Sequence, residues 1–230
     1  MLKINNRYPY TEIQRKQING KRLYDTETGA LPSVTTILDK TKPREKRIAL
    51  ANWKKRVGEE QAQKIVTEAA NTGTYMHAIL EAWVLNQEYT GESTAQSRLM
   101  ADTIKKNIEP DLNEIWGSEV NLYYPGLYAG TTDLVGMYKG KPTIMDFKQT
   151  NKPKKREWID DYFMQGAAYG LAHNALYETE IQNIAIFMCS RDCEWQLFEI
   201  GPDEFSHWEE KWAKRVAQFY DLLNMDIARI

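Results

Sequence analysis

Apolar residues recur along this chain in two rhythms, and the switches between them outline its elements. Helical spacing carries Met76, Ile79, Leu80 and Trp83, and again Phe205, Trp208, Trp212, Val216 and Phe219; steps of three and four residues line one face of a helix. Helices are predicted from about Val34 to Val57, from Glu60 to Ala69, through His77, around Thr94–Ile108, from Glu157 to Tyr177 and from Asp203 to Leu223. Thr72 or Asn71 is the expected N-cap of the His77 helix, and Ser33 that of the first helix. Apolar runs bounded by turn residues predict a hairpin turning at Asn19-Gly20, a strand over Glu119–Tyr124, a hairpin turning at Lys139-Gly140, and strands near Ile184–Met188 and Trp195–Ile200. The expected fold class is α/β, a central mixed β-sheet flanked by α-helices with an N-terminal helical cap over the site.

The second hairpin carries the chemistry. With Lys139-Gly140 as a two-residue loop, Tyr138 pairs with Lys141, and counting outward sets Asp133 opposite Asp146. Opposed residues share a sheet face, and Lys148, two positions past Asp146, points the same way. Two carboxylates that close repel each other unless a cation neutralises them. Mg²⁺ is usually held by one or two carboxylates plus substrate phosphates and waters, and a lysine beside it can serve an attacking water or developing charge. The bare pattern is equally that of a solvated hairpin face with an Asp–Lys pair. His77 and Glu81, four apart on one helix face, could likewise be an ordinary helix-face pair. Ser33 reads as a cap whose helix N-terminus also offers N–H groups to an anion.

Asp133 followed by Asp146-Phe147-Lys148 resembles the core motif of the PD-(D/E)XK nuclease superfamily. Gly73-Thr74-Tyr75-Met76-His77-Ala78-Ile79-Leu80-Glu81 resembles the first-helix motif of its RecB-like branch, and Gln165-Gly166-Ala167-Ala168-Tyr169 its Q-x-x-x-Y motif. Ser33-Val34-Thr35-Thr36-Ile37-Leu38, then Trp53-Lys54-Lys55-Arg56, is similar to the N-terminal part of the mitochondrial genome maintenance exonuclease family and its tailed-phage relatives. The resemblance runs from about Leu31 to about Tyr220 and implies a restriction-endonuclease-like core. It implies catalysis by Asp133, Asp146 and Lys148, and Mg²⁺ or Mn²⁺ held by His77, Asp133, Asp146 and the Phe147 carbonyl, with Glu81 supporting the ligands. An imidazole donor favours Mn²⁺ more than an all-oxygen site does. It also implies that Ser33, Thr35, Gln165 and Tyr169 position the nucleic acid.

Composition adds limits. The chain has 230 residues and a net charge of −2, which fits one domain, residues 1–230: a hairpin and helical cap over 1–70 and a catalytic core over 71–230. With a pI near 6.0, attraction to nucleic acid must be local. Asp146 is the only acidic residue from Lys139 through Arg156. The polar loop Lys152-Pro153-Lys154-Lys155-Arg156 leaves the catalytic strand and is expected to touch DNA phosphates; Trp158, which follows it, is a candidate to stack on bases, with core packing the commoner role for such a residue. A second basic cluster, Arg44, Lys46, Arg47, Lys54, Lys55 and Arg56, falls on a predicted helix. Two cysteines, Cys189 and Cys193, cannot by themselves hold the four-cysteine iron–sulfur cluster of some RecB-like nucleases, so none is expected. No run is long and apolar enough to span a membrane and the first residues are no signal peptide, so a cytoplasmic protein of a bacterial or phage-infected cell is expected.

The expected function is hydrolysis of DNA by a metal-dependent exonuclease, on single strands from a free end, in degradation, recombination or replication processing. Replication or recombination proteins are expected partners. A structure-specific or flap endonuclease on the same scaffold is the nearer alternative, and a non-catalytic DNA-binding module the farther one.

Overall fold

The computed structural model describes residues 1–18 and 21–227. A small antiparallel sheet opens the chain, with β1 Gln14–Ile18, β2 Lys21–Thr26 and β3 Gly29–Pro32. The pairing of β1 with β2 brackets the predicted Asn19-Gly20 turn, which lies outside the described residues. Helices α1 Val34–Lys40, α2 Arg44–Val57, α3 Glu59–Val84 and α4 Ala95–Ile108 follow. Then come β4 Leu112–Tyr124, β5 Tyr128–Tyr138 and β6 Lys141–Thr150. After a 3₁₀ turn at Arg156–Trp158 the chain forms α5 Asp160–Tyr177, β7 Asn183–Ser190, β8 Trp195–Ile200 and α6 Pro202–Ile227.

The main sheet has five strands in the order β4-β5-β6-β7-β8. Only the β6–β7 pair is parallel, so α5 is the crossover that a parallel connection requires. The period of two divides the strand residues between two cores. Val135, Ile144, Ile184, Ile186 and Met188 pack with α1, α5 and α6. Leu134, Met145, Phe147, Ala185 and Phe187 pack with α3 and α4. β7 is apolar on both faces because both are covered, as expected for a strand inside a parallel pair. This is the mixed α/β sheet flanked by helices that the pattern predicts.

Three boundaries differ from prediction, each for a local reason. The helix expected over Val34–Val57 is two, because Pro43 stands between them with extended backbone, and a proline disfavours helix in the residue before it. Thr41 closes α1, its hydroxyl donating to the Ile37 carbonyl at 2.6 Å. Conversely, the helices expected on either side of residue 70 are one, α3, 26 residues long. Asn71 and Thr72 are interior to it and cap nothing. A glycine at position 73 costs a helix about 1 kcal/mol, less than burying Met76 and Leu80 returns. The strand expected at Glu119 begins at Leu112, where register shifts between Leu112 and Glu114 and between Ile115 and Gly117 break the alternation.

The N-terminal helices divide in burial. α1 is anchored through Val34 and Ile37, whereas α2 has no buried residue. Lys46 on α2 reaches Asp161 of α5 at 3.3 Å. Gly58, at φ +86°, turns the chain between α2 and α3, a conformation glycine adopts without steric cost. No helix among the described residues is long and apolar enough to cross a membrane.

Candidate active site

The site begins with the turn. Lys139 and Gly140 both have positive φ, 49° and 73°, the two-residue hairpin geometry that matches strand twist. It fixes the pairs Tyr138↔Lys141, Met137↔Pro142, Gly136↔Thr143, Val135↔Ile144 and Leu134↔Met145. Hydrogen-bonded and non-bonded pairs alternate from the closing pair, so Pro142 falls where no N–H is needed. On this alternation the Phe147 N–H faces β5 and would meet the backbone at Thr132. Instead the ladder stops at Leu134↔Met145, and the Asp133 carboxylate accepts the Phe147 N–H at 2.7 Å. Asp133 thus binds across the point where β5 and β6 part. N–H and C=O of a strand residue face the same edge, so the Phe147 carbonyl looks into that gap as well.

Asp146 is buried and ion-pairs with Lys148. Lys148 also stands over the Tyr162 ring of α5, 5.1 Å from its centroid. From the other side α3 brings His77, its Nδ1 at 3.5 Å from Asp133 Oδ1. The His77 ring meets Phe147 edge-on, which fixes its orientation.

β4 supplies a residue absent from the sequence prediction. Glu119 lies between the pairs Ser118↔Leu134 and Val120↔Thr132, hence opposite Asp133, and its φ of +50° departs from strand geometry. Ligand atoms of His77, Glu119 and Asp133 all lie within 4.8 Å of one another. Three carboxylates on three neighbouring strands, Glu119, Asp133 and Asp146, therefore form a row. The signal was present: the turn after Tyr124 closes on Tyr128, and counting outward from it pairs 119 with 133.

Electrostatics report the crowding. Desolvation in the cleft and the charges of Asp133 and Glu81 push Glu119 up to about 7. Burial raises Asp146, with Asp133 adding to the rise and Lys148 opposing it, and the net shift is upward. For Asp133 burial is outweighed by His77, Lys148 and the Phe147 amide, which hold it below the carboxylate range. Burial would lower Lys148, but Asp146 and Asp133 overcome it and keep the ammonium charged. Burial likewise works against charge on His77, and Asp133 reverses it. A cation here would relieve the repulsion in the row. One imidazole nitrogen with carboxylate oxygens suits Mg²⁺ or Mn²⁺.

The other predicted residues divide into near and far. Glu81 is one helical turn beyond His77 and close enough to raise Glu119. Gln165 and Tyr169 pair on α5, the amide donating to the Tyr169 hydroxyl at 3.4 Å, and the charges of Asp146 and Asp133 reach that hydroxyl. Gly130 on β5 makes room for that tyrosine, since a Cβ there would lie 2.8 Å from its ring. Ser33 caps α1, accepting the Thr36 N–H at 3.0 Å, and bridges to Ala129 on β5. It is itself buried, while Thr35 is exposed. The basic loop runs the other way. Lys154 exchanges backbone hydrogen bonds with the Gln196 side chain of β8 at 2.7 and 2.8 Å, and Arg156 pairs with Glu204 of α6. Lys152 and Lys155 are exposed, with Lys155 over the ring of the exposed Trp158 at 5.4 Å. Cys189 and Cys193 are free thiols.

No family model matches this chain. Curated relatives do. The mouse (Mus musculus) protein named mitochondrial genome maintenance exonuclease 1 is 28% identical over 176 residues, covering 72% of this chain and 52% of its own length. This chain is a distant homologue of that exonuclease. The protein of the same name from Xenopus tropicalis is 25% identical over 202 residues, covering 83% of this chain and 58% of its own. The chain thus spans about half the length of the curated relatives it matches. Among solved structures, a candidate exonuclease from Eubacterium rectale superposes with a TM-score of 0.41 and 17% identity, covering 66% of this chain and 67% of that one. The homology is consistent with a PD-(D/E)XK-like nuclease, as the motifs imply.

Proposed function

We propose that this protein is a metal-dependent DNA exonuclease that hydrolyses phosphodiester bonds of single strands from a free end. The observation that carries the reading is the row Glu119–Asp133–Asp146, with Lys148 beside one end and His77 over its centre. Homology to exonucleases supports the nuclease class.

His77, Glu119, Asp133, Asp146 and the Phe147 carbonyl are the residues that would hold Mg²⁺ or Mn²⁺. When bound, such an ion acidifies a coordinated water and neutralises charge on the phosphoryl oxygen. Lys148, kept charged by Asp146 and Asp133, orients the attacking water or counters negative charge in the transition state. The Phe147 amide fixes the Asp133 carboxylate, so that donor is set before substrate arrives. Gln165 and Tyr169 line the approach from α5, with Ser33 and Thr35 at the start of α1. Lys152, Lys154, Lys155, Arg156 and Trp158 form a basic, partly aromatic margin for the strand beyond, and α2 adds a basic cover. Such a cover admits a flexible single strand more readily than a duplex. DNA degradation, recombination or replication processing in a bacterial or phage-infected cell suits this activity.

The test is a time course on end-labelled single-stranded DNA, linear against circular, with Mg²⁺, Mn²⁺ or EDTA. The expected result is metal-dependent loss of the linear strand alone. Cutting of the circle would make the protein an endonuclease, and no cutting with either ion would leave a binding module.

A further inference from the structure

We propose that Tyr162 is a positioning residue that holds the Lys148 ammonium at the site through the face of its ring. The inference rests on the nuclease reading only for its kinetic consequence; the placement of Lys148 stands on geometry alone.

Lys148 is on a strand, and its four-carbon stem has many rotamers. Something must select one. In this structure the ammonium pairs with the Asp146 carboxylate and also stands over the Tyr162 ring, whose centroid is 5.1 Å from Nζ. A cation within about 6 Å of an aromatic face is attracted by the ring quadrupole, more strongly where water is excluded. Lys148 is only 17% exposed along its side chain. When Asp146 turns its charge to a bound cation, the carboxylate is shared and its hold on Lys148 weakens. The ring is not shared. It remains the partner that holds the ammonium in place beside Asp146.

The ring stands on a fixed support. Tyr162 lies in the first turn of α5, and its neighbours tie that turn to three other segments. Asp160 reaches Lys211 of α6 at 3.3 Å. Asp161 reaches Lys46 of α2 at 3.3 Å and Arg215 of α6 at 3.5 Å. Arg215 in turn donates to Thr41 Oγ1 and the Leu38 carbonyl at the end of α1, at 2.5 and 2.6 Å. Gln165 and Tyr169 follow Tyr162 at helical spacing, so α5 presents all three toward the same cleft. No hydrogen bond engages the Tyr162 hydroxyl among the described residues, which leaves the ring face as its functional part.

The test replaces Tyr162 with phenylalanine and then with mono-, di- and trifluorophenylalanine, which drain the ring face of charge at nearly constant volume. Two quantities are read in each protein: kcat on single-stranded DNA with Mn²⁺, and the NMR order parameter of the Lys148 ¹⁵Nζ group in saturating diamagnetic Mg²⁺, which needs no turnover. Y162F is expected to stay within about twofold of the parent in kcat. The fluorinated series is expected to fall stepwise to about tenfold below it, with KM unchanged and the Lys148 order falling in parallel. An order parameter that stays flat across the series would overturn the proposal. An order that falls in a protein whose parent form cuts no DNA would support the placement of Lys148 and overturn the nuclease reading instead.

Discussion

Two histidines sit on helices against the same sheet, and their surroundings drive them in opposite directions. His77 on α3 faces Asp133, with Asp146 behind it, and is pushed toward the charged form although burial resists. His173 on α5 is fully buried, and burial pulls it down to about 4. Its ring nitrogens meet Tyr10 at 2.9 Å and Thr179 at 2.7 Å, while Tyr8 and Tyr177 pack around the ring with centroids 4.9 Å away. Helical position does not distinguish the two, and the partial exposure of His77 against the full burial of His173 does not explain why one is raised and the other lowered. The neighbours do. Carboxylates make a buried imidazole a candidate ligand or cation, whereas hydroxyls and aromatic rings make it a neutral part of the core.

The comparison is sharpest if the site is dismantled first. Asp146→Ala and Lys148→Ala are each expected to lower cleavage of single-stranded DNA by more than about 10³-fold, with unchanged circular dichroism and retained DNA binding. Turnover near the parent level in either would remove these residues from catalysis.

Next come the histidines themselves. His173→Ala is expected to destabilise the fold by about 2–4 kcal/mol, from the lost packing and the unpartnered Tyr10 and Thr179 hydroxyls. Its kcat at low temperature should be close to normal. His77→Ala should do the reverse, weakening metal-supported activity about 10–100-fold while shifting the urea midpoint little. Finding both effects in one variant would collapse the distinction.

The last effect is acid sensitivity. His173 titrates near 4 in the folded chain and near 6.5 when unfolded, so between those values only the unfolded state takes the proton. Stability should therefore fall as pH drops from about 6.5 to 4, by up to ~1.4 kcal/mol per unit. His77 contributes with the opposite sign, since a raised value favours the folded state on protonation. Urea titrations at several pH values should show a shallower acid limb for His173→Asn than for the parent. Parallel limbs would mean that His173 is not held neutral.

How much of this could be read beforehand depended on the range of the signal. The β5–β6 register followed from one turn dipeptide because a two-residue loop leaves no slack, and every pair from Tyr138↔Lys141 to Leu134↔Met145 is the counted one. Glu119 is harder to read because it comes from a different hairpin, and its positive φ violates strand expectation. Pro43 is a local break that competes with the continuous periodicity around it, and in the fold the break wins. The course of the basic loop is not legible in one dimension. In three, Gln196 and Glu204 draw Lys154 and Arg156 toward β8 and α6, contacts set by residues some forty positions away.

The short Lys139-Gly140 turn also sets an order of events in synthesis. At about 5–20 residues added per second, the hairpin carrying Asp133 and Asp146 can close in microseconds once made. Tyr162 and the rest of α5 arrive seconds later. His77 is already present by then, whereas the ring that stands under Lys148 is not. A nascent chain therefore visits the register of its acidic pair before it has the helix that encloses it. An interruption after residue 150 leaves the lysine without its aromatic support and β6 without its parallel neighbour β7.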